Sequence, residues 1–208
     1  WDKSSLRGGL KRQYEYAGDN RLLTAGATRC IYDDYGALEV KWPGVGQSEP
    51  LRFEHARGVV TKVLLPDGYS IGYRYDRHGC RTQRLVNGGL QWEYEWLDLA
   101  RLGKIRDVNM GVTASFAYGV DSQGQATRVP LLVELDTGPG APPKRYAMVY
   151  DHLGSFRGLR DETGKLVKAV EYDSFGNTTR NTAPDIFVTI GFAGGLTDPD
   201  HDLLHFVY

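Results

Sequence analysis

The sequence predicts an all-β protein built from antiparallel β-hairpin repeats. Three observations support this fold class: a motif that recurs about every twenty residues, aromatic residues that alternate with polar ones, and glycine- or asparagine-containing turns between the alternating runs. A repeat of this length is one small supersecondary unit, which buries its apolar face only by stacking on its neighbours. We therefore expect a continuous strip of hairpins, with one aromatic face that must curl or be covered.

The repeated motif is Tyr-Asp-x-x-Gly. Its complete copies are Tyr32-Asp33…Gly36, Tyr75-Asp76…Gly79, Tyr150-Asp151…Gly154 and Tyr172-Asp173…Gly176. Degenerate copies extend the column of the last residue, which reads Asn20, Gly36, Gly58, Gly79, Gly103, Gly124, Gly154 and Gly176. We expect the tyrosine to be the last inward residue of a strand and the aspartate to accept backbone N–H bonds from residues ahead of it. The glycine is then expected to adopt a left-handed conformation.

Aromatic and apolar residues alternate with polar ones around most motifs, which indicates strands with one apolar face. These residues are Tyr14, Tyr16, Tyr73, Tyr75, Trp92, Tyr94, Trp96, Phe116, Tyr118, Tyr146, Met148 and Tyr150. Turn sequences separate the runs at Asp67-Gly68, Asn87-Gly88, Gly138-Pro139 and Thr163-Gly164. Two strands per copy predict roughly fourteen to eighteen strands of the usual length.

Two segments depart from this pattern. Residues 95–106 carry apolar residues at steps of three, as a helix would, but Gly103 interrupts them and the neighbouring sequence is strand-like, so a strand is favoured. Residues 136–145 are rich in proline and glycine. We expect an exposed loop or hairpin tip there, and not a domain linker, because the repeat resumes in phase beyond it.

Composition excludes several classes of function. The 25 basic and 26 acidic residues nearly cancel, which disfavours a nucleic-acid partner. The sequence contains no run of about eighteen apolar residues, so it does not predict a membrane-spanning helix. The first residues lack the pattern of a secretion signal and read like those of a piece cut from a longer chain. Cys30 and Cys80 match no zinc or redox spacing and are expected to be free thiols.

Two sequence patterns suggest chemistry and are each weighed against a structural reading. Residues 68–72 place Ser70 in the GxSxG pattern of a serine hydrolase, but a hairpin turn precedes it and a strand follows, whereas the hydrolase elbow needs a strand before and a helix after. Asp198, Asp200 and Asp202 alternate like the first ligands of an EF-hand, but Leu203 takes the place of the required glycine. A chance match is therefore favoured for residues 68–72, and a solvated acidic turn is favoured for the three aspartates.

The histidines and aromatic residues are also weighed for function. Two histidines, His201 and His205, belong to an alternating strand, in which four residues span about 13 Å, too far for one metal ion. The other three, His55, His78 and His152, fall at variable positions of the motifs, where turn or surface roles are favoured over catalysis. Aromatic residues could stack on sugars, but core packing is favoured. No catalytic, cofactor-binding or metal residue is therefore assigned, and no cofactor is expected.

Three segments in the last third of the chain resemble a known family. They read YDHLGSFR from Tyr150, YDSFGN from Tyr172 and IGFAGGLTDP from Ile190. With them the chain resembles the Rhs/YD-repeat proteins, a group that includes bacterial polymorphic toxins, the C components of insecticidal toxin complexes and animal teneurins. The resemblance assigns residues 1–208 to a YD-repeat β-sheet region, of which residues 146–208 are similar to the start of the Rhs-associated core.

The resemblance implies a sheet that spirals into a hollow shell, of which this chain would be an arc. It implies a secreted or cell-surface protein whose partners are the remainder of its own shell and a C-terminal effector or toxin. Members that release their cargo cleave themselves at DPxG-type motifs beyond the core. Asp198-Pro199 lacks the glycine that would follow in such a motif, so no protease residue is assigned.

Three hypotheses for function follow. The first is a non-enzymatic structural scaffold, a fragment of the shell that encloses and presents a C-terminal effector. The second is a cell-surface recognition module that binds carbohydrate or a receptor, as a teneurin-like reading suggests. The third is a hydrolase, which depends on Ser70 alone. Open sheet edges additionally predict self-association.

Overall fold

The computed structural model of the protein describes residues 13–42, 44, 49–173 and 175–206. The described residues form antiparallel strands and one short 3₁₀ turn, Phe192–Gly194, which confirms the predicted fold class. Eighteen strands are seen in this part of the chain, at the upper end of the predicted range. The chain divides into two compact units, Trp1–Leu90 and Gln91–Tyr208.

The first unit is a run of strands that pair antiparallel in chain order. Its strands are β1 (Tyr14–Tyr16), β2 (Leu22–Ala25), β3 (Thr28–Tyr32), β4 (Leu38–Trp42), β5 (Leu51–Ala56), β6 (Val59–Leu64), β7 (Ser70–Tyr75) and β8 (Arg81–Val86). Its buried face contains a cross-strand row in which Phe53 lies opposite Val63 and Val63 opposite Ile71. All three are almost fully buried, which stabilises the unit by roughly 1.5–3 kcal/mol per side chain.

The second unit continues the same hairpin pattern and adds a separate hairpin. Its strands are β9 (Gly89–Trp96), β10 (Leu102–Asp107), β11 (Val112–Ala117), β12 (Leu132–Asp136), β13 (Lys144–Tyr150), β14 (Phe156–Arg160), β15 (Leu166–Tyr172), β16 (Thr178–Asn181), β17 (Leu196–Asp198) and β18 (His201–His205). Strands β9 to β16 pair antiparallel in chain order, and β17 pairs with β18. The first two residues of β9 lie in the first unit.

The apolar face of the second unit is covered by its own C-terminal segment. A cross-strand row runs from Tyr94 to Ile105 and Ala114, and these residues belong to one buried cluster with Ile190 and Leu196. Residues 186–188 pack against this cluster. The segment after β16 therefore supplies the cover that a one-sided sheet needs.

The repeat length explains where the turns lie. One copy spans two strands, so the turns of successive copies lie at the same end of the strands. In the second unit these turns follow β9, β11, β13 and β15, and they comprise residues 97–101, 121–125, 151–155 and 173–177, respectively.

Of the two irregular segments, residues 136–145 fold as predicted, whereas residues 95–106 contain a turn where a strand was favoured. Residues 97–101 form a turn between β9 and β10, and residues 137–143 form the tip of the β12–β13 hairpin. Both cysteines are free thiols, as expected. Within the described ranges, no helix is long and apolar enough to cross a membrane.

Three expectations are wrong. Gly103 does not end a turn but lies buried in β10, because the preceding turn closes at Arg101 without a glycine. Tyr16 is 57% exposed and does not pack inward. Asp198 is 7% exposed and does not belong to a solvated acidic turn, because the β17–β18 hairpin buries it.

Candidate functional site

The aspartate turn is the recurring structural feature of the chain. At the first complete motif, the N–H of Asp33 donates to the carbonyl of Ala37 at 2.9 Å, and the N–H of Gly36 donates to the carbonyl of Asp33 at 3.0 Å. The Asp33 carboxylate Oδ1 accepts from the N–H groups of Tyr35 and Ala37 at 2.9 and 2.8 Å. One carboxylate oxygen thus bonds two donors that a tight turn leaves unpaired.

The same geometry recurs at five further aspartates. They are Asp76, Asp121, Asp151, Asp161 and Asp173, whose Oδ1 atoms each accept two backbone N–H bonds of 2.8 to 3.0 Å. The glycine of each of the six turns has a φ between +76° and +87°. Residues other than glycine adopt this backbone conformation only at a cost in free energy. The copy that ends at Gly124 and the turn at Thr163-Gly164 were predicted, but without a role for Asp121 or Asp161, because both lack the tyrosine of the motif; Asp-x-x-Gly alone would have identified these aspartates.

The motif tyrosines are the last residues of β3, β7, β13 and β15, and all four are half-buried. The hydroxyl of Tyr32 donates to the carbonyl of Leu22 at 2.9 Å, and that of Tyr75 donates to the carbonyl of Val60 at 2.7 Å. Each of these bonds joins a strand end to the neighbouring strand. Burial raises the pKa of Tyr172 to about 12.

Three sequence motifs of the second unit meet in space. The Oγ of Ser155 accepts from the N–H of Ala193 at 3.0 Å. The N–H of Phe156 donates to the carbonyl of Gly191 at 3.0 Å. Both Ser155 and Phe156 are fully buried, with at most 1% exposure. The YDHLGSFR segment is therefore the docking point for the IGFAGG loop, which lies almost forty residues further along the chain.

Phe192 joins this loop to the YDSFGN turn. Its ring packs edge-on against Tyr172, with centroids 5.7 Å apart. It also lies against Gly176 so closely that a Cβ there would be 2.8 Å from the ring. Glycine at 176 is therefore required twice, for its φ of +87° and for the approach of the ring.

Arg157 forms an ion pair within the YDHLGSFR segment and contacts the tyrosine of the YDSFGN segment. Arg157 donates from Nε to the second carboxylate oxygen of Asp151 at 2.9 Å, and its Cζ lies 5.2 Å from the ring centroid of Tyr172. Burial raises the pKa of Asp151, but bonds from backbone N–H groups and from Arg157 outweigh it, so the pKa is lowered overall. We call the residues Asp151, Ser155, Arg157, Tyr172, Gly176 and Phe192 the motif cluster.

Lys168 holds the start of the covering segment. It lies in β15 and is 3% exposed. Its Nζ donates to Asn181 Oδ1 at 3.1 Å, to the carbonyl of Ile186 at 3.2 Å and to the carbonyl of Ala183. Burial lowers the pKa of this amine to about 8. A single side chain thus ties down the chain reversal that brings residues 186–188 onto the sheet.

Stability is expected to rise between pH 8 and pH 10 because of Lys168. In this window the unfolded chain, with a lysine pKa near 10.5, binds a proton that the folded chain has lost, so raising the pH favours folding. We expect a gain of roughly 1–2 kcal/mol, reduced by solvent screening. Urea unfolding at pH 7, 8, 9 and 10 measures it. Lys168→Met should flatten the profile, whereas Lys165→Met, at an exposed lysine, should not. An unchanged slope in Lys168→Met would contradict the assignment.

Ser70 and the Asp198–His201 pair, which were considered for catalysis and metal binding, lie in hairpins. Ser70 starts β7, and its neighbour is the side chain of Asn87, whose Oδ1 is 3.5 Å from the serine Oγ; this hairpin setting is the predicted one. Asp198 and His201 approach to 3.8 Å inside the β17–β18 hairpin. Among the described residues, no group of three or more His, Cys, Asp or Glu side chains could hold a metal ion.

The aspartate turns, the hairpin order and the covered sheet together define a module of the YD-repeat shell class. Residues 7–208 match the family model described as Teneurin YD-shell, and the chain belongs to this family.

Individual relatives agree with this assignment. The chain is 28% identical to teneurin-3 of Danio rerio over 159 residues, which is 74% of this chain and 6% of that protein. It is 26% identical to mouse teneurin-4 over 231 residues, or 92% of this chain and 8% of that protein. It is 32% identical to the tRNA nuclease WapA of Bacillus subtilis over 113 residues, or 54% of this chain and 4% of that protein. The chain therefore spans less than a tenth of these relatives.

The crystal structure of TcdB2-TccC3 is one of the solved structures that match this chain. It superposes with a TM-score of 0.46 at 12% identity, over 81% of this chain and 10% of that one.

Proposed function

We propose that this chain is a non-enzymatic segment of a YD-repeat shell, whose role in a longer parent protein is to enclose and present a C-terminal effector. The observation that carries the proposal is the use of the motif residues: aspartates cap turns, Tyr32 and Tyr75 bond neighbouring strands, and glycines permit the turns. These groups serve structure and are not displayed to a substrate. The proposal assigns a structural role to all twelve residues of the complete motifs.

The proposal also covers organisation and location. Residues 1–208 form the YD-repeat region, and residues 146–208, which contain the motif cluster, correspond to the start of the Rhs-associated core. The parent would be secreted or exposed at the cell surface. Its partners would be the rest of the shell and the effector, with self-association through open sheet edges as a further contact.

The test is limited proteolysis of the full-length parent. If the strip encloses the region C-terminal to it, that region should resist protease in the native protein. A variant that opens the second unit, Gly154→Val, should make it cleavable at least tenfold faster, because valine is strained at a φ of +80°. Equal cleavage rates in both proteins would contradict enclosure.

Recognition of carbohydrate or a receptor is the alternative function. It predicts saturable binding of the isolated chain on a glycan array, lost when exposed aromatic residues such as Tyr35 and Phe175 are replaced by serine. These side chains are 97% and 51% exposed. Binding of that kind, together with an unprotected C-terminal region, would favour recognition over enclosure.

A further inference from the structure

The YDSFGN turn runs directly into a sequence that matches a modification motif. Asn177-Thr178-Thr179 has the form Asn-x-Ser/Thr, the acceptor pattern for N-linked glycosylation, and the pattern occurs once in the 208 residues. Its middle position excludes proline, and threonine occupies it here. The asparagine supplies the amide nitrogen that receives the sugar, and the third residue supplies the hydroxyl that completes the pattern.

The structure leaves room for a glycan at this asparagine. Asn177, Thr178 and Thr179 are all exposed, and β16, which contains the two threonines, is exposed along its whole length. Among the described residues, β16 is the last strand of its sheet and pairs with β15 alone. A branched polar group attached to Asn177 would therefore extend into solvent and displace no packed side chain.

Glycosylation is compatible with the hydrogen bonds of the turn. The backbone N–H of Asn177 donates to Asp173 Oδ1 at 3.0 Å, and its side-chain Nδ2 donates to Asp173 Oδ2 at 2.8 Å. The unmodified amide has two N–H groups, and one of them remains after a sugar is attached. Because Nδ2 can carry the sugar and still donate to the carboxylate, the turn does not have to open in the glycosylated chain.

The asparagine at the other end of β16 has a different role. Asn181 is followed by Thr182 and Ala183, so it lacks the hydroxyl residue that the pattern requires. Its Oδ1 accepts from the buried Lys168 Nζ at 3.1 Å. The side chain of Asn181 thus belongs to the chain reversal after β16, whereas that of Asn177 lies on an exposed turn beside an open strand.

We propose that Asn177 is a site of N-linked glycosylation. In this step Nδ2 forms a bond to C1 of an oligosaccharide that is carried on a lipid pyrophosphate. The bond from C1 to the phosphate oxygen breaks, the lipid pyrophosphate leaves, and the amide releases one proton. The inference rests on the proposed function, because it requires a parent that is secreted or reaches the cell surface through a pathway that contains the lipid-linked donor.

The test is expression of the full-length parent in cultured animal cells, with a cleavable signal peptide added so that the protein enters the secretory pathway. Peptide mass spectrometry, before and after an amidase removes N-linked glycans, measures the fraction of Asn177 that is modified. Wild type should be glycosylated, and Asn177→Gln and Thr179→Val should both lose the glycan. Thr179→Ser keeps the hydroxyl and should retain it.

The matched control is Thr178→Val, at the middle position of the pattern. It replaces an exposed threonine of the same strand and leaves both required residues, so its glycosylated fraction should equal that of wild type. The proposal is overturned if secreted wild type carries no glycan at Asn177, or if Thr178→Val loses the glycan as Thr179→Val does. Because the added signal imposes export, neither result bears on the proposed location. Retention of the parent inside cells when the added signal is absent would contradict that location, and this inference with it.

Discussion

Replacing Gly176 with alanine is expected to destabilise the second unit by about 2–5 kcal/mol. Two effects add: alanine is strained at a φ of +87°, and its Cβ would lie 2.8 Å from the ring of Phe192. The ring cannot move freely because it packs against Tyr172. Urea unfolding of the full chain measures the loss. Hydrogen exchange over residues 173–197 should show that the loop leaves the sheet first.

The matched control is Gly164→Ala, in the same unit. Gly164 has a φ of +82°, and among the described residues nothing lies within 4 Å of the Cβ that alanine would add. This variant should be destabilised only by its backbone strain, by about 1–2 kcal/mol. In a Phe192→Ala background, Gly176→Ala should fall to the same value. Equal losses for the two glycines in the wild-type background would show that the loop does not dock as described.

Asp151→Ala is expected to destabilise the second unit by about 2–4 kcal/mol. It removes two bonds to backbone N–H groups and leaves Arg157 without its carboxylate partner. Because the pKa of Asp151 is lowered in the folded chain, its contribution should be present near neutral pH. It should disappear as the pH falls through the folded pKa, below that of an ordinary aspartate.

Two variants separate the turn from the ion pair. Asp121 caps a turn with the same two N–H bonds, so Asp121→Ala should lose about 1 kcal/mol. Asp151→Asn keeps an acceptor for the turn and removes the charge. It should therefore lose chiefly the stabilisation from the Arg157 ion pair, and with it the part of the stability that depends on acid pH. A loss in Asp151→Ala no larger than in Asp121→Ala would exclude a contribution from the ion pair.

Much of the fold could be predicted because the relevant interactions are local. An aspartate that bonds the N–H groups of residues two and four positions ahead, followed by glycine with positive φ, needs no distant partner. Alternation in β5, where Leu51 and Phe53 are buried and Arg52 and Glu54 exposed, likewise follows from the two-residue period of a strand. Gly103 shows the limit, since the periodicity placed it in a turn that in fact closes two residues earlier, at Arg101.

The candidate sites were less predictable. The sequence identified the YDHLGSFR, YDSFGN and IGFAGG segments as motifs but not as one cluster. Contacts such as Ser155 with Ala193, or Phe192 with Gly176, join residues that no local rule pairs. Lys168 carried no sequence signal at all, because a lysine in a strand is ordinarily exposed.

By itself the sequence determined the strand order, the aspartate turns and the family, because hydrogen bonds within a few residues and a two-residue alternation are written directly in the chain. Only the tertiary structure decided which segment covers the sheet of the second unit, and with it the motif cluster and the burial of Lys168. The physical reason is that burial of apolar surface is non-directional. Many apolar segments could have covered that face, and the choice was made by long-range contacts that sequence spacing does not encode.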